Sequence, residues 1–338
     1  MGARSRLRAS LDTADYQVHA AFEPEWYLIR ETDDGFEPFD QSGCYTADGI
    51  QSAHDIVLEI VDGLAAQGME MATYYPEYSP GQQEIAINHS KGLTPADNQT
   101  FYKQTVKAVA RNHGLRATFS PKPFPEHAGS GSHLHLSLWT DGENAFYDPT
   151  DASSYPVSER CKQFIGGVLD HAKALVALTA PSVVSYKRLQ PDAWAAAYTA
   201  WGLDNREAMV RVPSAQWTES ADTTRIEIKA VDNTANPYLA LLGVLGAGQD
   251  GIERGLDPGD PIDVNPADLS DTERERRGIE RLPGSLGEAL DELEQDSVLK
   301  SAMGSELHRT YTAVKRATWK DANRTVTDSD VEIYTRLY

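Results

Sequence analysis

Residues 132–138 read Ser-His-Leu-His-Leu-Ser-Leu, and this stretch decides the architecture. Side chains alternate along a strand, so His133, His135 and Ser137 share one face and Leu134, Leu136 and Leu138 the other. Three other stretches repeat the pattern. In 22–26 (Phe-Glu-Pro-Glu-Trp) Glu23 and Glu25 share a face, and in 82–87 (Gln-Gln-Glu-Ile-Ala-Ile) Glu84 lies opposite Ile85 and Ile87. In 225–229, Arg225, Glu227 and Lys229 lie opposite Ile226 and Ile228. One apolar face and one chemically able face suit a largely antiparallel sheet with one side against a core.

A single such strand reads as half-exposed, with a merely solvated polar face. Paired glutamates plus paired histidines on several strands read differently. If these faces converge, their carboxylates repel unless cations sit among them. An oxygen-rich site with one or two imidazoles suits Mg²⁺ or Mn²⁺ better than zinc. The arginines alongside suit an anionic ligand.

Helix signals surround the strands. Ile50, Ala53, Val57, Ile60, Val61 and Leu64 recur at helical spacing, and Gly68 ends the run. Thr94-Pro95-Ala96-Asp97 predicts a capped helix running to about His113, and Asn236-Pro237 predicts another ahead of Tyr-Leu-Ala-Leu-Leu. Ser285 with Glu288 predicts a capping box, and 305–320 is expected to be helical. The stretch 255–284, rich in Asp, Pro, Arg and Gly, reads as a surface excursion. Gly246, Gly248 and Gly251 fit a dinucleotide-loop pattern, but Asn236-Pro237 puts a helix where that loop needs a strand, so they read as helix-packing glycines. Cys161 reads as a core thiol.

The 338 residues carry 31 Lys+Arg against 51 Asp+Glu, a formal charge of −20 that argues against a nucleic-acid partner. Of the 31 cations only 11 are lysine, and much acid with little lysine resembles cytosolic proteins of high-salt organisms. No apolar run reaches membrane-spanning length. Two cysteines give neither a disulfide framework nor zinc spacing, which fits a reducing cytoplasm.

Six motifs in order carry a resemblance: EPEWY at 23–27, PEYSPGQQE at 76–84, FSPKPFPEHAGSGSHLHLS at 119–137, SYKRLQP at 185–191, DNREAMVRVP at 204–213 and TRIEIKAVDNTANPYLA at 224–240. Together they resemble the catalytic domain of glutamine synthetases, over nearly the whole of 1–338. The resemblance implies an α+β fold, a curved, largely antiparallel sheet with surrounding helices. It also implies an ATP-dependent ligase that activates glutamate as γ-glutamyl phosphate and amidates it with ammonium or a primary amine. Two Mg²⁺ or Mn²⁺ ions are expected: Glu25, Glu77 and Glu84 would hold one, and Glu23, His133 and Glu227 the other. Arg206, Arg211 and Arg225 match contacts to ATP phosphates and the transferring group, with Arg206 and Arg225 taken as catalytic. His135 and Ser137 match nucleotide contacts, and Gly129 and Arg188 match positions that hold the amino acid. The resemblance further implies a cytoplasmic homo-oligomeric ring, or association with a full-length homologue, acting in nitrogen metabolism.

Three features depart from the family pattern. Lys229 stands where an arginine usually grips the substrate carboxylate, and lysine lacks that two-point fork. Ala128 replaces a common asparagine. Trp194, six residues past Arg188, stands where ammonia-using members carry a glutamate; an indole can cover an amine only through its π face. Family members also carry a small β-grasp domain ahead of the point where this chain starts, so residues 1–21 are read as a remnant of the interdomain segment. These departures leave a second reading open, a non-catalytic nucleotide- and metal-binding homologue that modulates a partner synthetase.

Overall fold

The computed structural model describes residues 2–151, 155–214 and 220–337. Among them, eleven strands form one sheet: β1 (Gln17–Thr32), β2 (Gly35–Pro38), β3 (Met71–Pro76), β4 (Gln82–Ile87), β5 (Ser90–Lys91), β6 (Arg116–Thr118), β7 (Ser132–Thr140), β8 (Glu143–Asn144), β9 (Trp201–Leu203), β10 (Val210–Val212) and β11 (Ile226–Ile228). The central path runs β3-β4-β1-β7-β11-β10-β9, and its pairings are antiparallel except β9 with β10.

The short strand expected around 22–26 is the middle of a 16-residue strand. β1 grows long because it changes neighbours along its length: residues 17–24 pair with β7, and 25–27 pair with β4. The registers set Glu23 opposite His133, Glu25 opposite Glu84, Glu227 opposite His135, and Arg211 opposite Glu227. Five strands, β1, β4, β7, β10 and β11, thereby come to lie side by side.

The helices are α1 (Ala3–Thr13), α2 (Ala47–Ala65), α3 (Thr94–Asn112), α4 (Glu159–Asp170), α5 (Ala172–Thr179), α6 (Ser185–Arg188), α7 (Ser220–Thr223), α8 (Pro237–Arg254), α9 (Asp271–Arg276), α10 (Leu286–Gln295), α11 (Ser297–Met303), α12 (Ser305–Arg324) and α13 (Asp328–Leu337). The larger core places Leu134, Leu136, Leu138, Ile226 and Ile228 of the sheet against α4, α5, α8 and α10, all at 1% exposure or less. Each such side chain contributes roughly 1.5–3 kcal/mol of burial free energy. A second core lies between β1/β4 and α2/α3, around Trp26, Ile60, Ile85 and Tyr102.

The expected helix starts are mostly found, with one correction. The Asn236 side chain accepts from the amides of Tyr238 and Leu239, and Ser285 accepts from that of Glu288. Thr94, expected as a cap, is instead the first helical residue, behind a Leu93 that makes no side-chain cap bond. Asp97, rather than completing a box, takes a bidentate bond from Arg4 (2.9 and 2.8 Å) and one from the Tyr238 hydroxyl (2.5 Å). A two-point charged partner outbids a neutral backbone amide. Residues read as an interdomain remnant form α1 and the start of β1, and Leu7 is fully buried among the helices. Gly248 and Gly251 lie inside α8, where an added Cβ would come within 2.2 Å of the Phe164 ring and of the Gln163 carbonyl, respectively. They are packing glycines. Cys161 is buried in the core, which pushes its thiol pKa up.

Candidate active site

The polar faces of β1, β4, β7 and β11, with the β3–β4 turn, converge on one cluster. The His133 imidazole sits among three carboxylates: Nδ1 lies 3.1 Å from Glu227 and 3.5 Å from Glu23, and Nε2 lies 3.9 Å from Glu25. His135 Nε2 reaches Glu23 at 3.2 Å, and Arg225 Nε donates to His135 Nδ1 at 3.2 Å. Ligand-capable atoms of Glu23, His135 and Glu227 all lie within 4.8 Å of one another. The structure thus brings His135, expected as a nucleotide contact only, into the same group as Glu23 and Glu227. Strand alternation is the reason, since it puts both histidines on one face.

None of these faces is simply solvated. Glu84 is 4% exposed and Glu227 1%, deep enough that unbalanced charge is costly. Glu77 is pushed up to about 7 by burial and by the charge of Glu25. Glu84 is raised well above the carboxylate range by burial and by Glu23, Glu25 and Glu77. Burial also opposes ionisation of Glu227 and Glu23, yet Lys229 and the histidines hold Glu227 low, and His135 and His133 hold Glu23 low. Glu84 Oε1 is buried with no hydrogen-bond partner among the described residues. Two raised carboxylates and an orphaned oxygen amount to an unmet demand for positive charge. A hard, oxygen-seeking divalent cation fits this donor set.

Backbone contacts aim the carboxylates. Gly131 N–H donates to Glu25 Oε2 at 2.8 Å, and Tyr78 N–H to Glu77 Oε2 at 3.0 Å. Asn233 donates to the carbonyls of both Glu25 and Gly131 at 2.9 Å, tying the 128–131 loop to β1. Gly129 belongs to that loop, and a Cβ there would lie 2.7 Å from Arg188 Cγ and 2.9 Å from the Pro121 carbonyl. Asn233 and Gln82, which donates to Glu25 and the Gly129 carbonyl, were not singled out by sequence reasoning. Nothing in their periodicity marks them.

Besides Arg225, four cationic residues among those expected at the site differ in what holds them. Arg211 bridges Glu227 and Asp204, each at 2.9 Å. Arg188 is 5% exposed; its guanidinium donates to the carbonyls of Val231 and Lys229 at 3.2 Å and lies 3.2 Å from His133 Nε2. Lys229, also 5% exposed, has Nζ 3.5 Å from Glu227. Arg206 stands at the exposed rim and acts electrostatically on Tyr45. Trp194 is exposed, with its ring edge-on to Tyr78 at 4.8 Å.

Beside the cluster is a cavity of about 380 Å³ lined by Glu23, Tyr75, His89, His135, Ser137 and Arg225. His19 stacks between Trp139 (4.5 Å) and His89 (5.4 Å) at its wall. His19 shares the odd-numbered face of β1 with Glu23 and Glu25, so alternation could have found it; only the fold brings Trp139 and His89 beside it. A larger cavity of about 680 Å³, lined by Lys107, Arg111 and Arg116, contains none of the predicted site residues.

A profile described as glutamine synthetase, catalytic domain, matches residues 3–334. The chain belongs to the glutamine synthetase family. It is 40% identical over 338 residues to the glutamine synthetase of Methanocaldococcus jannaschii, covering 98% of this chain and 73% of that protein. It is 40% identical over 324 residues to that of Thermus thermophilus, covering 95% and 71%. A solved structure described as a GmaS/ADP complex superposes with a TM-score of 0.86 at 33% identity, covering 98% of this chain and 76% of that one. The mostly antiparallel sheet with surrounding helices is therefore that of the glutamine synthetase family. No described helix is long and apolar enough to cross a membrane.

Proposed function

We propose that the protein is an ATP-dependent carboxylate–amine ligase that makes a γ-glutamyl amide. The observation that carries this reading is the convergence of Glu23, Glu25, Glu77, Glu84, His133 and Glu227 beside a nucleotide-sized cavity whose wall holds Ser137 and Arg225. Two Mg²⁺ or Mn²⁺ ions bound by those six residues would neutralise phosphate oxygens during phosphoryl transfer. In the reaction proposed, a glutamate γ-carboxylate oxygen bonds to the terminal phosphorus of ATP and ADP leaves. The amine nitrogen then bonds to the acyl carbon, phosphate leaves, and the nitrogen gives up its surplus protons.

The chain's own groups have distinct tasks in this scheme. Arg225, half-buried, orients His135 and offers its guanidinium to the cavity. Arg211 holds Glu227 in place from one side while Lys229 neutralises it from the other. Arg206, at the rim, is free to swing towards the transferring phosphoryl group, and Gly129 keeps the loop beside Arg188 close enough to admit the amino acid. Binding of ADP by a structural relative supports the nucleotide assignment. The same reading places the protein in the cytoplasm as a homo-oligomer.

The test is release of ADP and phosphate with glutamate, ATP and Mg²⁺ in the presence of hydroxylamine, read together with γ-glutamyl hydroxamate. Amine-dependent turnover is expected; its absence with ATP still bound would overturn the ligase reading. The buried, committed state of Arg188 and Lys229 favours one second reading, a nucleotide- and metal-binding homologue that modulates a partner synthetase. That outcome would show binding without hydroxamate.

A further inference from the structure

One carboxylate near the site has no role in the scheme above. Glu207 is half-buried on the loop between β9 and β10, directly after Arg206. Its Oε1 accepts from the Trp194 backbone N–H at 3.1 Å. Among the described residues its other oxygen has no hydrogen-bond partner. Asn205 Oδ1 holds the Glu207 amide at 3.0 Å, and the Asn205 side-chain amide is in turn tied to the carbonyls of Ile262 (2.7 Å) and Val264 (2.9 Å). The carboxylate is therefore held by a braced loop and does not sweep solvent.

The residue it anchors is unusual. Trp194 has φ of 49° and Asp192 φ of 58°, so two non-glycine residues within three positions lie in the left-handed region. Such backbone persists only where its surroundings over-determine it, and here the Glu207 carboxylate and the bond from Asn265 to Asp192 (2.8 Å) do so. The consequence is that the indole stands out, 56% exposed, edge-on to a Tyr78 that is 53% exposed. Tyr78 follows Glu77, and Lys229, which pairs with Glu227, also acts electrostatically on Glu207. Tyr78 through Glu77, and Glu207 through Lys229, thus each adjoin a member of the glutamate cluster.

A fixed carboxylate beside two exposed aromatic surfaces matches one ligand chemistry: a cation carrying hydrocarbon. The ammonium end pairs with the carboxylate, while the carbons cover the rings and the charge gains from the π faces. Bare ammonium would use only the first half of this arrangement. Resting on the ligase reading and naming its acceptor, we propose that Glu207, Trp194 and Tyr78 form the acceptor subsite and that it takes a primary alkylamine, with the ammonium on Glu207 and the alkyl chain against Trp194.

The experiment uses butylammonium chloride as probe on the full chain with Mg²⁺ and ATP. Binding is read by saturation-transfer NMR titration and turnover by mass detection of γ-glutamyl butylamide. Glu207→Gln is the informative variant, because its side-chain oxygen still accepts from the Trp194 amide and only the charge is lost. Butylammonium binding and the KM for butylamine are expected to weaken roughly 10- to 100-fold, the size of a lost charge-assisted bond, with the KM for ATP unchanged. Trp194→Ala should raise the KM for butylamine by a larger factor than the KM for ammonium. Unchanged butylammonium affinity in Glu207→Gln, or no binding to the wild type, would overturn the subsite. Turnover with ammonium alone would overturn it while leaving the ligase reading intact. Butylammonium binding that depends on Glu207, with no turnover on any acceptor, would keep the subsite and sink the ligase reading.

Discussion

Among the described residues, two groups of carboxylates gather around imidazoles, and they differ in who balances the charge. In the first, Glu23, Glu25, Glu77, Glu84 and Glu227 surround His133 and His135, with Glu77 pushed up to about 7, Glu84 higher than usual, and one Glu84 oxygen orphaned. In the second, His171 at the α4–α5 junction lies between Asp296 (2.6 Å from Nδ1) and Asp250 (3.0 Å from Nε2). Arg254 bridges Asp250 and Asp170 at 2.7 Å each. There burial would lower the His171 pKa, but both aspartates raise it to about 8, and Asp250 and Asp296 are held low in return. An imidazolium and a guanidinium answer the aspartates from within.

Both groups place at least three potential ligands close together. Proximity therefore does not separate a metal centre from a structural clamp. The residual charge does. The second group fastens α8 and the first turn of α11, where Asp296 also caps the Leu299 amide, to the α4–α5 corner. The first instead leaves Glu77 and Glu84 raised and a Glu84 oxygen without a partner among the described residues.

This contrast can be broken by experiment, most forcefully at Glu227. Glu227→Ala should lower kcat/KM by about a thousandfold or more, the scale of losing a main electrostatic stabiliser. It should also abolish most of the rise in thermal midpoint caused by Mg²⁺ or Mn²⁺, which for wild type at a hundred times Kd corresponds to about 2.7 kcal/mol. Glu143→Ala, at the exposed position of β8, should keep both. An equal metal-dependent shift in the two variants, read by differential scanning calorimetry, would remove Glu227 from the metal site.

His171→Ala should do the reverse. Removing the imidazolium leaves two half-buried carboxylates facing each other, of which Asp250 keeps Arg254, at a cost below the roughly 3–5 kcal/mol of a fully buried pair. The metal-dependent shift should survive intact. Urea unfolding with and without Mg²⁺ distinguishes the two effects; a lost Mg²⁺ shift in His171→Ala would mean that this cluster, too, binds metal.

The pH dependence sharpens the same point. His171 has its pKa raised in the folded chain from 6.5 to about 8, so its contribution is full below pH 6.5 and is lost as pH rises through about 8. The shift corresponds to about 2 kcal/mol. Stability measured between pH 6 and 9 should fall by that amount in wild type and stay flatter in Asp296→Asn. A smaller effect is expected at Ser158, whose hydroxyl caps α4 ahead of Asp170 by accepting from the Cys161 amide. Ser158→Ala should cost about 1 kcal/mol with no change in the metal response or in the pH slope.

The amino-acid order determined a good deal on its own. Alternation is a local property, fixed by two residues per pleat, so the partition of His133, His135 and Ser137 from Leu134, Leu136 and Leu138 was readable before any partner strand was known. The helices headed by Asn236-Pro237 and Ser285 were readable for the same reason, because a cap and its amide lie three residues apart. The fate of Asp97 was not: its partner Arg4 lies 93 positions away, and a local signal cannot see it.

Tertiary structure alone decided which faces meet. Register is set by pairing across long chain separations, and it set Glu23 opposite His133 and Glu25 opposite Glu84 while β1 passed from one partner strand to another. The same pairing drew His135 into the glutamate cluster, buried Arg188 behind His133, and stood Trp194 out beside Tyr78 over a braced Glu207. Residue type states what a side chain can do. Its burial and neighbours, which arise only when distant segments close on one another, decide whether its charge is answered by the protein or left for a ligand.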